Sequence, residues 1–255
     1  MRIAVDAMGG DHAPGAIVAG AALAAPRIAG EIILVGPEDV LQRELAAHNV
    51  SAPNLRLHHA PEVVAMDDNP VVALRQKANS SLTRCVDLVR EGEADGAVSA
   101  GNSGAFMAAA TMRLGRLEGV QRPGIAVFMP TPVGKRIVLD AGANVDCKPE
   151  HLLAFALMGS AYAEHALGVS RPRVGLLSIG TEDCKGDDLT LQSAKLLREA
   201  PINFIGNVEG TQIYEGVVDV TVCDGFVGNV VLKVAEGVGH LITTEMKRAL
   251  RRDWR

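Results

Sequence analysis

One kind of junction constrains this sequence most: an apolar strand runs through a glycine-containing polar loop into a helix. The clearest copy is the stretch Asp219–Gly237, DVTVCDGFVGNVVLKVAEG. β-Branched residues alternate at Val220 and Val222, Gly225 and Gly228 interrupt the pattern, and apolar residues then recur with helical spacing. The free N–H groups at the start of such a helix face the loop. The junction is therefore suited to binding an anion.

Strand patterns alternate with helical patterns about eight times along the 255 residues. This alternation predicts the α/β class with a doubly wound, mostly parallel sheet. The composition agrees, because 48% of the residues are hydrophobic but only 3% are aromatic, so that Ala, Val, Leu and Ile must fill the core. We predict a single α/β catalytic domain over residues 1–255. Two lobes are the alternative, since no Pro- or Ser-rich linker marks a boundary.

Charge and cysteine usage exclude several classes of protein. The net charge of −5, from 25 basic and 30 acidic residues, provides no overall field for nucleic acid. Cys85, Cys147, Cys184 and Cys223 lie far apart without a C-x-x-C spacing, which argues against zinc and against a disulfide framework. We therefore expect a reduced, cytoplasmic chain. The uncharged, Ala-rich segment Ala13–Pro26 predicts a buried helix, and we expect no transmembrane segment.

Polar loops follow the predicted strands at several points. They are Asp6-Gly9-Gly10-Asp11, Ser99-Gly101-Asn102-Ser103-Gly104, Asp140-Gly142-Asn144, Gly180-Glu182-Lys185-Gly186 and Asp224-Gly225-Gly228-Asn229. Because open parallel sheets bind ligands at the carboxyl ends of their strands, these loops would line one cleft if they converge. Backbone N–H groups, carboxamides and a lysine suit a phosphate-bearing ligand. Neither G-x-G-x-x-G nor a Walker A loop occurs, which excludes a typical dinucleotide site.

The individual side chains in these loops leave alternatives open. Lys185 is either a solvated surface lysine or a positive charge for an oxyanion beside helix N-termini. Asn102, Asn144 and Asn229 are either turn and cap residues or ligands of the anion.

Two further sets of residues could carry chemistry. Asp6 and Asp11 can cap a helix or bind magnesium, but the acids are too scattered to predict a metal. Cys184 and Cys223 have no histidine nearby in the sequence, which disfavours a nucleophilic role for either thiol.

The C-terminal segment HLITTEMKRALRRDWR predicts a basic amphipathic helix. Its apolar face consists of Ile242, Met246, Ala249, Leu250 and Trp254, and its basic face of Lys247, Arg248, Arg251, Arg252 and Arg255. Such a helix can lie on an anionic membrane or pack on a core with one solvated face.

Taken in order, the motifs resemble one family. They are DAMGGDHAP, MDDNPVVALRQKANSS, VSAGNSGA, the Arg122-Pro123 pair, LDAGANVDC, IGTEDCKG, FIGNVEG and VCDGFVGNVVLK, and they extend from Val5 to about Gly237. An ordered series of this length is far more specific than any one loop. It resembles the phosphate acyltransferases of bacterial phospholipid synthesis, the PlsX family.

The resemblance implies an enzyme that moves a long-chain acyl group from acyl carrier protein to inorganic phosphate. The acyl phosphate product would pass to a glycerol-phosphate acyltransferase. The resemblance also implies a fold like that of phosphate acetyltransferases and isocitrate dehydrogenases, a homodimer, and peripheral attachment to the inner face of the membrane. We expect no cofactor, no metal and no nucleic acid.

The family's loop lysine and glycine-loop asparagine fall on Lys185 and Asn229, which we therefore predict to be the catalytic residues. The residues predicted to bind phosphate or substrate are Asp6, Gly9, Gly10, Asn102, Ser103, Gly104, Asn144, Asp224 and Gly228. An acidic carrier protein needs a basic docking patch. Either Arg75 with Lys77 or Arg113 with Arg116 could supply it.

The sequence departs from the family at two points. Val227 stands where many relatives carry threonine, and the chain ends at Arg255 where relatives continue through a further strand-helix block. We therefore expect that C-terminal block to be absent. Two alternative functions stay open: a membrane-attached scaffold of lipid synthesis and a short-chain acyl-CoA:phosphate transferase.

Overall fold

A computed structural model describes residues 1–49 and 52–252. The chain divides into two compact units, Met1–Leu117 and Glu118–Arg255. Each unit is a sheet covered by helices, which confirms the predicted α/β class. The single catalytic domain over residues 1–255 stays a prediction.

The first unit is built on four parallel strands in the order β3-β2-β1-β4. These strands are β1 (Arg2–Asp6), β2 (Glu31–Gly36), β3 (Leu55–His59) and β4 (Gly96–Val98). Its helices are α1 (Gly15–Ala24), α2 (Glu38–Ala47), α3 (Pro70–Gln76), α4 (Ser81–Arg90) and α5 (Ser103–Arg113), and a 3-10 turn covers Ala25–Arg27. The run Ile32, Ile33, Leu34 and Val35 is completely or almost completely buried, as parallel strands covered on both faces require.

Helix α1 departs from the expected buried helix. Only Val18 and Ala21 are buried within it, and Leu23 is 66% exposed. Alanine has little surface to bury, so an Ala-rich helix can place one face on a sheet and leave the other in water. The prediction of a buried helix was therefore wrong for most of this segment.

The second unit contains a five-stranded sheet in the order β5-β6-β9-β7-β8. Its strands are β5 (Ala126–Thr131), β6 (Gly134–Leu139), β7 (Arg173–Leu177), β8 (Asn203–Val208) and β9 (Val220–Val222). Its helices are α6 (Pro149–Leu167), α7 (Asp188–Glu199), α8 (Gln212–Glu215) and α9 (Gly225–Arg252). Strand β5 is antiparallel to β6, whereas the other pairings are parallel.

Strand β9 is the last of these five in the chain but lies at the centre of the sheet, between β6 and β7. The three strands run parallel, with Leu139 and Leu176 both paired to Val222. Their carboxyl ends therefore lie side by side, and so do the loops that follow them.

Two apolar clusters cover the two faces of this sheet. On one face, Phe155 of α6 packs among residues of β6, β7 and β9. Gly159 lets α6 approach β9 closely, because a Cβ atom there would lie 2.6 Å from Cγ1 of Val220. The other face carries Met129, Val138, Ile213 and Cys223, against which Val231 and Ala235 of α9 pack.

Helix α9 runs without interruption for 28 residues and includes residues 240–252 of the predicted amphipathic segment. Trp254 and Arg255, which were assigned to its two faces, lie outside the described residues. Of the described apolar face, Ile242, Met246 and Leu250 are each more than half exposed.

We expected no transmembrane segment, yet Gly225–Arg251 is long enough to span a membrane and contains an 18-residue stretch with a mean hydropathy of 1.2, of which only 11% is buried. Buried helices of soluble proteins meet the same criterion of length and composition. The first turns of α9 pack on the sheet through Val231 and Ala235, so this end of the helix is part of the α/β unit.

Candidate active site

Asp6, at the end of β1, connects two of the polar loops of the first unit. Its carboxylate accepts a hydrogen bond from the Ser99 hydroxyl at 2.6 Å and one from the Met8 N–H at 3.2 Å. The Gly101 N–H donates in turn to the Ser99 hydroxyl at 3.0 Å. Asp6 is only 2% exposed, so it braces these loops and does not cap a helix.

Gly9 and Gly10 complete this junction by allowing backbone segments to meet. A Cβ atom on Gly9 would lie 2.6 Å from the Asp6 carboxylate and 2.8 Å from the Gly101 nitrogen. Gly10 has φ of 101°, which side chains rarely allow. The predicted residues Asp6, Gly9 and Gly10 thus lie together with the Ser99–Gly101 loop.

Asn102 caps α5, the simpler of its two predicted roles. Its Oδ1 accepts from the Ala105 N–H at 3.0 Å, and its Nδ2 donates to the carbonyls of Met66 and Asp68. The carboxamide is therefore engaged on both sides. The next two residues, Ser103 and Gly104, form the first turn of the helix, where backbone N–H groups lack intrahelical partners.

Asp140 organises the loop after β6 in the second unit. It is completely buried, and Oδ1 accepts hydrogen bonds from the N–H groups of Ile125, Gly142 and Ala143. Oδ2 accepts from the backbone N–H and from the side-chain amide of Asn144, both at 2.8 Å. Five N–H donors thus replace the water that a buried carboxylate loses.

Asn144 is held in place by the same network. It is 7% exposed, and its Nδ2 also donates to the Pro123 carbonyl at 2.7 Å. The side chain therefore positions the loop. Asp140 was predicted to lie in a polar loop but not to be a site residue, although an acid that directly follows a strand and lies two residues before a glycine was the available signal.

The β9–α9 junction packs against this loop. Gly225 donates its N–H to the Asn144 carbonyl at 2.7 Å. A Cβ atom on Gly228 would lie 1.8 Å from the Asp140 carbonyl oxygen, so glycine is required there. Asn229 is exposed, and its Oδ1 lies 3.6 Å from the point where a Cβ atom on Gly142 would be.

Asp224 caps the start of α9. Its Oδ1 accepts hydrogen bonds from the N–H groups of Phe226 at 2.9 Å and Val227 at 3.0 Å. The Val227 N–H is therefore engaged by Asp224 in this structure.

Lys185 lies in the exposed loop between β7 and α7. Its carbonyl accepts from the Ser178 hydroxyl at 3.2 Å and from the Asn207 side chain at 3.3 Å, which fixes its backbone. Asp187 caps α7 by accepting from the Thr190 N–H, and the hydrogen bonds from Thr190 lower the pKa of Asp187.

A cavity of about 220 Å³ lies where these last two junctions meet. From the β7–α7 side it is lined by Ser178, Ile179, Gly186, Asp187, Leu189 and Thr190, and from the β9–α9 side by Cys223, Asp224 and Val227, with Leu152, Leu176 and Leu177 behind. The starts of two helices border it. The wall includes Gly186, next to Lys185, and Val227, two residues before Asn229.

The thiols of Cys223 and Cys147 are not activated. Burial, reinforced by the charges of Asp224 and Asp140, raises the pKa of Cys223 well above its ordinary value. Burial together with Asp140 and Asp224 also raises the pKa of Cys147 to about 11. Both groups are neutral thiols near pH 7, and neither has the thiolate character that a nucleophile needs.

The described residues hold no cluster of three His, Cys, Asp or Glu side chains arranged for a metal ion. The cavity combines the starts of α7 and α9 with the hydroxyl groups of Ser178 and Thr190. This arrangement can bind a small anion and stabilise an oxyanion.

Comparison with solved structures agrees with this fold. A phosphotransacetylase from Streptococcus pyogenes superposes with a TM-score of 0.71 at 17% identity, and the EutD phosphotransacetylase from Staphylococcus aureus with 0.68 at 20%. Each match covers 94% of this chain and 82% of the other. At these identities the likeness shows the fold alone.

Comparison at the level of sequence is closer. The family model described as "Fatty acid synthesis protein" matches residues 1–255. The phosphate acyltransferase of Pelotomaculum thermopropionicum is 52% identical over 254 residues, which are 100% of this chain and 74% of that protein. The phosphate acyltransferase of Geobacter sulfurreducens is 52% identical over 98% of this chain and 73% of its own length. The chain therefore belongs to the fatty acid synthesis protein family of phosphate acyltransferases, the family that its motifs resemble.

Proposed function

We propose that this chain transfers a long-chain acyl group from acyl carrier protein to inorganic phosphate and so supplies acyl phosphate for phospholipid synthesis. The observation that carries the proposal is the cavity between the starts of α7 and α9, which is lined by Gly186, next to Lys185 in the chain, and by Val227, two residues before Asn229. Relatives that are about half identical in sequence over the whole chain are named phosphate acyltransferases.

The reaction needs no protein nucleophile. A phosphate oxygen attacks the thioester carbonyl carbon, an oxygen–carbon bond forms, and the carbon–sulfur bond then breaks. The thiolate leaves with the electron pair and takes a proton from solvent. The site has to hold the two substrates together and to stabilise the oxyanion of the tetrahedral intermediate.

The two capping aspartates explain why a lysine is needed. Asp187 and Asp224 place carboxylates at both helix starts, where they engage N–H groups and repel a dianion. A cation next to Gly186 offsets this repulsion, and Lys185 is in that position. Its exposed side chain can reach a phosphate without first breaking an ion pair described in the structure.

We assign Lys185 and Asn229 to phosphate or the oxyanion. Asn144 and Asp140 position the loop that lies against Asn229, and Asp224 and Gly228 shape the start of α9. We also propose that loop residues of the first unit contribute to substrate binding. They are Asp6, Gly9, Gly10, Asn102, Ser103 and Gly104.

The decisive experiment measures phosphate-dependent release of carrier thiol from palmitoyl acyl carrier protein. Lys185→Ala and Asn229→Ala should each lower kcat/KM about 100-fold, the usual cost of one oxyanion donor. Lys195→Ala, an exposed lysine further along α7, is the matched control and should leave the rate unchanged. Release of thiol that does not depend on phosphate, or full activity of Lys185→Ala, would contradict the proposal.

Docking of the acidic carrier protein is assigned to the Arg75 patch. Lys77 there is paired with Asp68 while Arg75 is exposed, whereas Arg113 lies 3.8 Å from the buried Asp87. Arg75→Glu should raise KM for the acyl carrier substrate about tenfold with kcat unchanged, because rim charges act on encounter. An unchanged KM would remove this patch, and Arg113→Glu would then be measured in the same assay.

We also propose a cytoplasmic homodimer that attaches peripherally to the inner face of the membrane and delivers its product to a glycerol-phosphate acyltransferase. The support is helix α9, which exposes Ile242, Met246 and Leu250 near a basic segment. Sedimentation with anionic vesicles should fall in high salt and with Leu250→Glu. Sedimentation of the parent chain that neither change affects would contradict the attachment.

A further inference from the structure

A second cavity in the same unit lies along α9. Its volume is about 770 Å³, and its lining is almost entirely apolar. Val230, Val234, Val238 and Ile242 line it from α9, opposite Met129 of β5 and Tyr214 of α8. The single charged lining residue among those described, Glu236, is paired with Lys233 at 2.8 Å.

The groove and the anion cavity are separate, but residues on one face of α9 line both of them. Val227 lines the anion cavity, and Val230, Val234 and Val238 follow it at spacings of three, four and four residues. Residues at these spacings share one face of an α-helix. The apolar stripe thus leads from the proposed reaction site into the groove.

From these observations we infer that the groove holds the acyl chain of the donor, with the thioester at the Val230 end. This inference rests on the proposed function and identifies the site that selects its substrate. Twelve residues separate Val230 from Ile242, and at 1.5 Å per residue the groove is about 18 Å long. An extended backbone advances about 3.5 Å over three bonds, so an extended alkyl chain advances about 1.2 Å per carbon. The groove therefore accommodates about 15 carbons.

The position of each lining valine along the groove corresponds to a number of carbons in the acyl chain. Val234 is about 6 Å and Val238 about 12 Å beyond Val230, distances that an alkyl chain covers with about five and about ten carbons. An indole side chain at either position would close the groove there. His240 lies on the same helix, is exposed, and does not belong to the lining, so its replacement provides a matched control.

The test compares phosphate-dependent kcat/KM for donors from butyryl to octadecanoyl thioester. In the parent, each added methylene should raise kcat/KM up to about fourfold, the effect of burying one methylene, until the series levels near 15 carbons. With Val238→Trp, kcat/KM should stop rising at about ten carbons, and activity with the palmitoyl donor should be at least tenfold lower. With Val234→Trp the rise should stop at about five carbons, and His240→Trp should leave the series unchanged.

A parent series that does not rise with chain length would overturn the inference. A Trp variant that lowers butyryl and palmitoyl transfer equally would also overturn it. The groove would then be occupied by polypeptide, either from a second copy or from another segment, or by a bilayer. A fluorescent long-chain fatty acid, displaced by alkanoates of increasing length, measures binding without turnover. Length-dependent displacement that Val238→Trp shortens would support the groove even if the proposed transfer failed, and absence of binding would overturn it.

Discussion

Three asparagines that looked equivalent in the sequence differ in their environment at the level of single residues. Asn102 caps a helix, Asn144 is buried in a loop network, and Asn229 is exposed beside Gly142. The sequence allows a cap or a ligand at all three positions. In the structure the amides of Asn102 and Asn144 already have hydrogen-bond partners within the chain, whereas the exposed Asn229 is available to a ligand.

The first prediction concerns Asp140. In Asp140→Asn one acceptor oxygen becomes an NH₂ group that faces N–H donors, so at least one buried donor loses its partner. We expect the free energy of unfolding to fall by about 2–4 kcal/mol. Urea unfolding measures the change, and Asp146→Asn, an exposed acid in the same loop, should change it little. Equal stability of the Asp140 and Asp146 variants would show that the network is dispensable.

At the level of elements, α9 contains two glycines with opposite roles. Gly228 lies against the Asp140 carbonyl, where an added Cβ atom would be at 1.8 Å from backbone, whereas Gly237 has no atom within 4 Å of its Cβ position. Gly228→Ala should therefore destabilise the protein by about 3 kcal/mol or more, because neither backbone can give way. Gly237→Ala should stabilise it by up to about 1 kcal/mol through helix propensity. The two variants are compared by chemical denaturation, and a cost at Gly237 or none at Gly228 would contradict the packing described.

The start of α6 is a pH-sensitive element. The buried His151 accepts a hydrogen bond at Nδ1 from the Lys148 N–H, so its ring must be neutral at that atom. Burial, with the charges of Arg122 and Lys148, lowers the pKa of His151 below the ordinary 6.5. The unfolded chain therefore takes up the proton first as the pH falls. The stabilisation is complete above pH 6.5 and is lost as the pH falls through the folded-state pKa.

The variant His151→Asn keeps a hydrogen-bond acceptor that cannot titrate. We predict that between pH 7 and pH 5 this variant loses about 1 kcal/mol less unfolding free energy than the parent does. His165→Asn, an exposed histidine at the other end of α6, should leave this pH dependence as it is in the parent. Urea unfolding at several pH values makes the comparison. Parallel curves for the parent and His151→Asn would count against the role of the ring.

At the scale of the whole molecule, each compact unit has its own core. Leu34, Leu41 and Leu82 are buried within the first unit, and Phe155 and Leu197 within the second. A unit with its own core can fold by itself. We predict that the fragment Met1–Leu117 retains α/β circular dichroism and unfolds cooperatively in urea. A gradual, non-cooperative loss of signal would show that this unit depends on the rest of the chain.

Features that depend on neighbouring residues could be predicted from the sequence alone. Periodicity indicated the α/β class, and the ordered motifs indicated the family. Each of these signals is local, because it arises from residues within one or two turns or within one loop. The short helix α8 gives no such signal, because four residues carry too little periodicity.

The sequence does not show which loops meet, because this depends on the tertiary fold. The central place of β9 brings Gly225 to the carbonyl of Asn144, 81 residues earlier in the chain, and opens a cavity between the starts of α7 and α9. The tertiary fold also determines that the valines of α9 line a groove. Such contacts depend on strand order and on packing between distant segments, and the pattern of a single strand or helix carries no information about its partner in space.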